Sequence, residues 1–462
     1  MENELLLEQL REELTELIKE KKYGNVRILL EGMNPADIAE LFDGISEEEL
    51  PLLFRILPKE LAADTFVEMN ADEQELLVTV FSDRELREVI NEMYVDDAVD
   101  MIEEMPAFLV KRILKHANPE MRKDINELLK YPKDSAGSIM TTEYVDLKKN
   151  MTVAQSFDRI RRTGVDKETI YTCYVTDSGR QLIGILSVKE LLLADSEATV
   201  GDIMETNLIS VNTLDDKEDV ARMFNKYDFL AIPVVDAEER LVGIVTVDDA
   251  IDVIQEENTE DIAKMAAIVP NEETYLKTSV WAHTKSRFAW LLFLMLSATV
   301  TGTIIQHYEN AFAAIPILVA FIPMLMGTGG NCGSQSSTTV IRGLALGEIK
   351  TRDFFRVLFK ECRIALLTGT ALALVNAIRV FIMYNGNSDV LQQIPLSKLA
   401  IVSGLSLIGT ILLAKCMGCI LPILAKKVKV DPALMAAPLL STVLDTCSVL
   451  IFFNIATRIL GI

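Results

Sequence analysis

Five apolar segments in the carboxyl-terminal part of the chain constrain its fold more than any other feature. They lie at residues 286–307, 313–330, 363–384, 399–424 and 434–460. A helix of about 20 residues crosses a hydrocarbon layer about 30 Å thick. Because such a layer offers no water to backbone polar groups, helices are the expected form of these segments. We therefore predict a multi-pass protein with a five-helix α transmembrane domain over residues 285–462.

The two parts of the chain differ strongly in charge. From residue 284 onward there are 15 Lys and Arg against 7 Asp and Glu, a net charge of +8, whereas the whole chain carries −23. Residues 1–283 therefore hold −31, which argues against nucleic acid as a partner because phosphates demand a basic surface. Basic residues follow the second and fourth spans, as at Lys350 and Lys426, and basic loops face the cytosol. We expect a plasma-membrane protein whose amino-terminal domains are cytosolic and whose carboxyl terminus lies outside.

Residues 1–134 are predicted to form an acidic, all-α helical superhelix. Apolar residues recur every three or four positions, as at Ile38, Leu41 and Phe42, which is the helical period. Capping and proline signals such as "NPAD" and "SDREL" divide the region into short helices. A weak similarity between "ADIAELFDGI" and "DDAVDMIEEM" favours stacked helical hairpins.

A duplication occupies the middle of the chain. "LIGILSV" at 182–188 matches "LVGIVTV" at 241–247, and "GSIMTTEYVDL" upstream parallels "GDIMETNLISV". The tandem unit resembles a pair of CBS domains, which implies α/β folds at residues 135–199 and 200–257. The resemblance also implies a sensor module that binds adenosyl nucleotides or ions between the repeats, so ATP is one candidate ligand. Residues 258–284 follow as a predicted connecting helix and polar linker.

Asp445 lies within the apolar run "PLLSTVLDTCSVLIFF" of the fifth span. A charge in a span is costly unless it is paired or reached by water. One interpretation is a packing carboxylate paired with Lys415 of the fourth span. The other, which we favour, is a cation site on a water-filled path, since Ser441, Thr442 and Thr446 offer polar neighbours.

The segment "GTGGNCGSQSSTTVIRGLALGEI" contains four glycines between residues 327 and 333. Glycines of this density predict a broken or bent helix, whose exposed carbonyls could face a hydrated ion together with Asn331. The alternative is a tight helix–helix contact made by small residues. The presence of Asp445 in the same chain favours the ion path.

This glycine-rich segment and "DPALMAAPLLSTVLDTCSVLIFF", behind an acidic helical domain and a CBS pair, resemble the MgtE family of magnesium transporters. The resemblance implies a homodimer with a pore on its two-fold axis, formed by the second and fifth spans. It also implies that Asp445 binds Mg²⁺ in that pore and that Asn331 lies in the matching glycine-rich turn.

Acidic pairs recur in the front part at helical spacing, as at Asp248 and Asp252 in "DDAID". Like charges at that spacing repel unless a cation lies between them, although single clusters are usually solvated faces. The family resemblance implies regulatory Mg²⁺ bound between the helical domain, the CBS pair and the connecting helix. The residues it implies are Glu60, Asp96, Asp100, Glu218, Asp228, Asp249, Asp252, Glu257, Glu260 and Asp261, with Asp97 as an alternative to its neighbours and Asp431 at the cytosolic membrane edge.

Together these features predict a dimeric magnesium channel, not an enzyme, that cytosolic Mg²⁺ closes. One rival is a carrier of Co²⁺ or Mn²⁺, or an exchanger coupled to sodium, because oxygen ligands discriminate weakly among such ions. A second rival is a membrane-anchored CBS-domain sensor that conducts nothing.

Overall fold

The computed structural model describes residues 2–270, 275, 278–309, 313, 315–386, 394–435 and 437–461. The chain divides into two compact units, Met1–Gln255 and Glu256–Ile462. Residues 271–274, 276 and 277 of the predicted connecting segment, and residue 314 of the second predicted span, lie outside the described residues.

The first unit begins with short helices separated by capping residues. They are α1 (Glu2–Lys19), α2 (Tyr23–Leu30), α3 (Pro35–Phe42), α4 (Leu50–Phe54), α5 (Lys59–Val67), α6 (Ala71–Val80), α7 (Asp83–Ile90), α8 (Val95–Glu104), α9 (Ala107–His116) and α10 (Pro119–Leu128). The side chain of Asn34 accepts a hydrogen bond from the backbone of α3, and Ser82 forms a capping box with Glu85 at the start of α7. These polar caps satisfy backbone groups that the short helices leave open.

Alternate helices pack against each other along this region. Helix α5 contacts both α3 and α7, and α6 contacts both α4 and α8. Phe54, Phe66 and Phe81 meet in its core, with ring centroids 5.3–6.2 Å apart. The packing of every second helix produces a stacked array, so the predicted helical superhelix is confirmed.

Two similar α/β repeats complete the first unit. Strands β1 (Asp146–Lys148), β2 (Thr172–Thr176) and β3 (Leu182–Ser187) form one sheet, and β4 (Val211–Asn212), β5 (Ala231–Val235) and β6 (Leu241–Thr246) form the other. The associated helices are α11 (Val153–Thr163), α12 (Val188–Leu193), α13 (Val200–Ile203), α14 (Lys217–Tyr227) and α15 (Val247–Met265). In each sheet the first pair of strands is parallel and the second is antiparallel, with the same register shift near the end of the middle strand. The duplication seen in the sequence is therefore a duplication of fold.

The second unit contains five helices long and apolar enough to cross a membrane among the described residues. They are α16 (Val280–His307), α17 (Ile322–Ala345), α18 (Phe354–Tyr384), α19 (Leu396–Lys427) and α20 (Ala437–Leu460), with a 3-10 turn at Pro316–Phe321 before α17. Helix α19 contacts α17, α18 and α20, and α17 contacts α20. The predicted number of spans is confirmed.

The predicted break in the second span is wrong. The glycines between residues 327 and 333 do not break the helix, because α17 runs continuously from Ile322 to Ala345. Packing against two neighbouring helices overrides the weak helix propensity of glycine here. The close helix contact made by small residues, which was the alternative interpretation, is present in this segment.

Candidate functional site

The glycine-rich segment of α17 packs closely against α19 and α20. A methyl carbon on Gly329 would lie 2.8 Å from Thr410 Cγ2 and 2.9 Å from Ser448 Oγ. One on Gly418 would lie 2.5 Å from the carbonyl oxygen of Gly333. Because any side chain would collide here, the glycines set the short distance between these helices.

Asp445 lies on α20, half-buried, at the level of this contact. One turn earlier on the same helix, Ser441 faces Gly330 of α17. Among the residues that the structure describes, the Asp445 carboxylate has neither a hydrogen bond nor an ion pair. The interpretation in which Lys415 neutralises it is therefore not the arrangement found, and its charge is available to a cation.

Lys415 instead contacts a carboxylate that the sequence analysis did not single out. Its Nζ lies 3.8 Å from Glu361 Oε2 on α18 and donates a hydrogen bond to Ser336 Oγ on α17 at 3.2 Å. Ser336 in turn donates to Glu361 at 2.6 Å. All three side chains are buried. This group of three side chains links α17, α18 and α19. Its carboxylate could not be predicted from the sequence, because Glu361 is a single acidic residue next to a basic loop.

Helix α17 also presents a polar face that no described residue covers. Asn331, Gln335, Thr338 and Thr339 are exposed along it, at the spacing of successive helical turns. They line a cavity of about 820 Å³ together with Ser334, Ser336, Glu361, Ile364 and Lys415. Polar groups in a membrane span are stable only against water or another protein surface. This face therefore indicates an aqueous path or a protein contact, and it includes the predicted residue Asn331.

A cluster of carboxylates lies in the first unit. Single ligand oxygens of Asp96, Glu143 and Glu168 lie within 4.8 Å of one another. Asp96 is at the start of α8, whereas Glu143 and Glu168 come from the segments before β1 and β2 of the first repeat. The backbone amide of Val95 donates to Glu143 Oε2 at 3.4 Å, and that of Glu168 donates to the Glu143 carbonyl at 3.0 Å. The fold thus brings three distant carboxylates together.

Burial and mutual repulsion raise the pKa of these groups. Burial first, then the charges of Asp249 and Asp97, raise the pKa of Asp96 well above its usual range. Burial, then the charges of Asp249 and Asp248, raise the pKa of Asp97 to about 7. Burial, then the charges of Asp97 and Asp248, raise the pKa of Glu168 to about 8. Burial raises the pKa of Asp249 to about 6, although a hydrogen bond from Thr246 opposes the shift. Such a site favours protons or cations.

The other predicted regulatory residues of the first unit lie outside the three-carboxylate group. Asp100 and Asp252 are exposed on α8 and α15, and the charge of Asp252 adds to the repulsion felt by Asp249. Glu60 is exposed on α5, and Glu218 forms an ion pair with Arg222 of the same helix. Neither of these two belongs to the three-carboxylate group.

The second unit brings two more predicted residues to one cation. Lys264 Nζ lies 2.8 Å from Glu260 Oε1 and 2.7 Å from Asp431 Oδ2. Burial lowers the pKa of Lys264, but its hydrogen bonds to Asp431 and Glu260 outweigh this and raise the pKa above its usual range. Glu257 and Asp261 are half-buried on the same helix, α15. The side-chain ammonium group of Lys264 therefore occupies the position between Glu260 and Asp431.

A smaller cavity of about 220 Å³ lies between the two repeats. It is lined by Thr172, Tyr174, Ile185, Ile209, Asp228, Phe229, Leu230, Ala231 and Pro233. Asp228 adopts a left-handed backbone conformation (φ 55°) at the end of α14, which directs the chain into β5. Asp228, which was predicted as a metal ligand, thus lies at a mostly apolar cavity that contains one carboxylate. Such a lining is typical of a site for a small molecule.

Three family models match successive parts of the chain. Residues 33–134 match the MgtE intracellular N domain, residues 136–197 and 200–256 match the CBS domain, and residues 322–455 match MgtE, described as a divalent cation transporter.

Related proteins match over nearly the whole length. The magnesium transporter MgtE of Thermus thermophilus is 36% identical over 98% of this chain and 99% of its own. The protein of the same name from Bacillus subtilis is 33% identical, over 96% and 95%. A solved structure of the cytosolic domain of the Mg²⁺ channel MgtE in complex with ATP is 37% identical, with a TM-score of 0.50, over 52% of this chain and 98% of that one. The soluble part of a magnesium transporter has a TM-score of 0.51 at 32% identity, over 54% and 99%.

Proposed function

The chain belongs to the MgtE family, and from that premise we propose that it carries Mg²⁺ across a membrane through its second unit. Members of this family are transporters, so the chain is not an enzyme. We propose the plasma membrane as its location, with the amino-terminal domains cytosolic. The domain boundaries proposed for this function are 1–134, 135–199, 200–257, 258–284 and 285–462.

The observation that carries this proposal is Asp445, a carboxylate within a membrane span that has no partner among the described residues. Intramembrane carboxylates of this kind mark ion paths. Mg²⁺ prefers oxygen ligands in an octahedral shell and loses its water reluctantly. A path for the hydrated ion therefore needs few direct charges and many hydrogen-bond acceptors. The exposed amide and hydroxyl groups of Asn331, Gln335 and Thr339 supply acceptors of that kind.

We propose that two copies of the chain form the path. The polar face of α17 would be unstable in contact with lipid. If the same face of a second copy lay opposite it, the two faces would enclose a water-filled path between them. A two-fold axis would place two Asp445 carboxylates around one ion, which balances a charge of +2 with −2. Inward flow would then be driven by the membrane potential, about 2.3 kcal/mol per charge per 100 mV.

Cytosolic Mg²⁺ is proposed to close this path. The carboxylates around Asp96 and Asp249 are buried beside one another and repel when ionised. Divalent ions bound by these residues, and by Asp100, Asp252, Glu257 and the other acidic residues implied by the resemblance, would hold the acidic domains together. When cytosolic Mg²⁺ falls, repulsion would separate them and open the path.

Asp431 and Glu260 support the same mechanism in the second unit. They hold the Lys264 ammonium between them, so their oxygens already converge on one positive charge. A divalent ion that displaced Lys264 would connect α15 to the residues that follow α19.

ATP is proposed to bind in the cavity between the two repeats. The relative solved with ATP has this cytosolic region in common with the chain. Asp228 at the cavity edge can accept hydrogen bonds from the hydroxyl groups of a ribose, and Phe229 and Ile209 provide apolar walls.

Mg²⁺ entry into liposomes that contain the purified chain tests the proposed transport. We expect Mg²⁺ to enter, and Co²⁺, Mn²⁺ and Na⁺ added in competition to distinguish a magnesium path from a less selective carrier or an exchanger. No entry above protein-free liposomes would leave the non-conducting sensor as the better interpretation. Mg²⁺ should also protect the first unit from protease, and equal digestion with and without the ion would count against closure.

A further inference from the structure

The cavity of about 820 Å³ beside α17 contains two charged groups that the proposed path does not use. Its lining combines the exposed polar face of α17 with Glu361 of α18 and Lys415 of α19, which are only 8% and 6% exposed. A water molecule in the liquid occupies about 30 Å³, so the six waters around a hydrated Mg²⁺ need about 180 Å³. The cavity is therefore large enough for a hydrated divalent cation.

These two charged groups do not satisfy each other fully. Lys415 Nζ lies 3.8 Å from Glu361 Oε2, which is beyond hydrogen-bond distance. Its hydrogen bond goes to Ser336 Oγ, so one of the three ammonium protons has a partner among the described residues. Ser336 donates to Glu361 Oε2, whereas Oε1 of that carboxylate receives no hydrogen bond from any described residue. Charged groups with unused donors and acceptors inside a span are stable only where water or a ligand completes them.

The rest of the lining favours a cation as that ligand. Asn331, Gln335 and Thr339 present amide and hydroxyl oxygens to the same cavity, and hard oxygen ligands select cations such as Mg²⁺ over soft metals. The contact between Lys415 and Glu361 is a loose ion pair, and a divalent ion at the same distance interacts twice as strongly with the carboxylate. A divalent cation can therefore replace the ammonium group as the partner of Glu361.

We propose that Glu361 binds a hydrated divalent cation in this cavity and that Lys415 is the counter-ion that the cation displaces. Waters of the ion would donate hydrogen bonds to Glu361 Oε1 and to the polar side chains of α17. Without the ion, the Lys415 ammonium group neutralises the carboxylate. Because Asn331 and Gln335 line both this cavity and the proposed path, the site would hold ions beside the path, and in that role it rests on the proposed transport.

Thermal unfolding of the full-length purified protein, in a chelator and at increasing Mg²⁺, tests the binding. Lys415→Met removes the counter-ion, so it should lower the unfolding temperature in the chelator, and Mg²⁺ should restore most of that loss. Na⁺ at the same ionic strength should restore little of it. The double variant Lys415→Met with Glu361→Gln should respond to Mg²⁺ as the wild type does, and so should Glu309→Gln, which changes an exposed carboxylate outside the cavity. If Mg²⁺ stabilises Lys415→Met no more than the wild type, the proposed site is wrong.

Mg²⁺ entry into liposomes separates this role from a role in packing alone. Glu361→Gln should reduce the entry rate about tenfold or more, the loss typical of residues that act on a metal through its water shell. The double variant should regain stability but not flux, because it restores neutrality without restoring the carboxylate. Wild-type entry in the double variant would show that Glu361 only neutralises Lys415, and it would overturn the proposal. No Mg²⁺ entry with the wild type would instead contradict the proposed transport, whereas recovery of Lys415→Met by Mg²⁺ would still support binding in the cavity.

Discussion

Raising the pH from 5 to 8 in the absence of divalent cations should destabilise the first unit. Asp97, Asp249 and Glu168 have pKa values of about 7, 6 and 8 in the folded chain, all above their ordinary values. The folded state therefore binds more protons than the unfolded state across this range, and stability falls as the pH rises. The stabilisation is complete below the ordinary pKa and is lost as the pH passes the raised one.

The size of the effect can be worked out from Asp97, which is more buried than Glu168, the other residue with a large rise in pKa. Between pH 5 and its folded pKa of about 7, two pH units, this group loses about 2.7 kcal/mol of stabilisation; the rest of the shift from 3.8 is already lost below pH 5. Because the carboxyl groups interact, they titrate as a set and their costs do not add. For a unit of this size, about 2.7 kcal/mol corresponds to a decrease of about 5–11 °C in the unfolding temperature.

Differential scanning calorimetry at pH 5, 6, 7 and 8, with a chelator or with saturating Mg²⁺, measures this decrease. Mg²⁺ should largely abolish it, because the ion replaces the protons, and Asp97→Asn should reduce it in the chelator. An unfolding temperature that is constant or rises with pH in the chelator would refute the assignment of buried, repelling carboxylates.

Three further predictions concern other contacts. Lys415→Met should destabilise the second unit by about 3–5 kcal/mol because it leaves the Glu361 carboxylate buried without a cation. Adding Glu361→Gln to this variant should restore most of the lost stability in thermal unfolding. A double variant as unstable as Lys415→Met would contradict the pairing. Gly418→Ala should cost about 1–3 kcal/mol and reduce Mg²⁺ flux, since its methyl would lie 2.5 Å from a carbonyl oxygen of α17, whereas Gly302→Ala, which meets no described atom within 4 Å, should not. Asp228→Asn, which tolerates the left-handed backbone, should weaken ATP binding in calorimetric titration, and unchanged ATP affinity would remove Asp228 from that site.

Much of the fold could be predicted from local signals. The caps at Asn34 and Ser82 mark helix starts, and the duplicated "GIL" and "GIV" strands predict two equal sheets because the period and the turn recur together. The five spans follow from length and apolarity alone.

Tertiary contacts decided the features that the sequence analysis missed. Glycine propensity predicts a break near Gly329, but the close approach of α19 and α20 makes a continuous helix the better solution. Lys415 has two acidic candidates in the spans, and only packing places it next to Glu361. Glu143 and Glu168 stand in no acidic cluster, so their convergence on Asp96 is visible only in three dimensions.

Single-channel recording with Mg²⁺ varied on the cytosolic face tests the central claim most directly. The account predicts unitary Mg²⁺ currents in the wild type and in the loop variant Glu309→Gln, with an open probability that falls as cytosolic Mg²⁺ rises. It predicts no such currents in Asp445→Asn while the protein remains folded. Wild-type currents in Asp445→Asn would contradict it, because the ion would then cross the membrane without the one carboxylate assigned to its path.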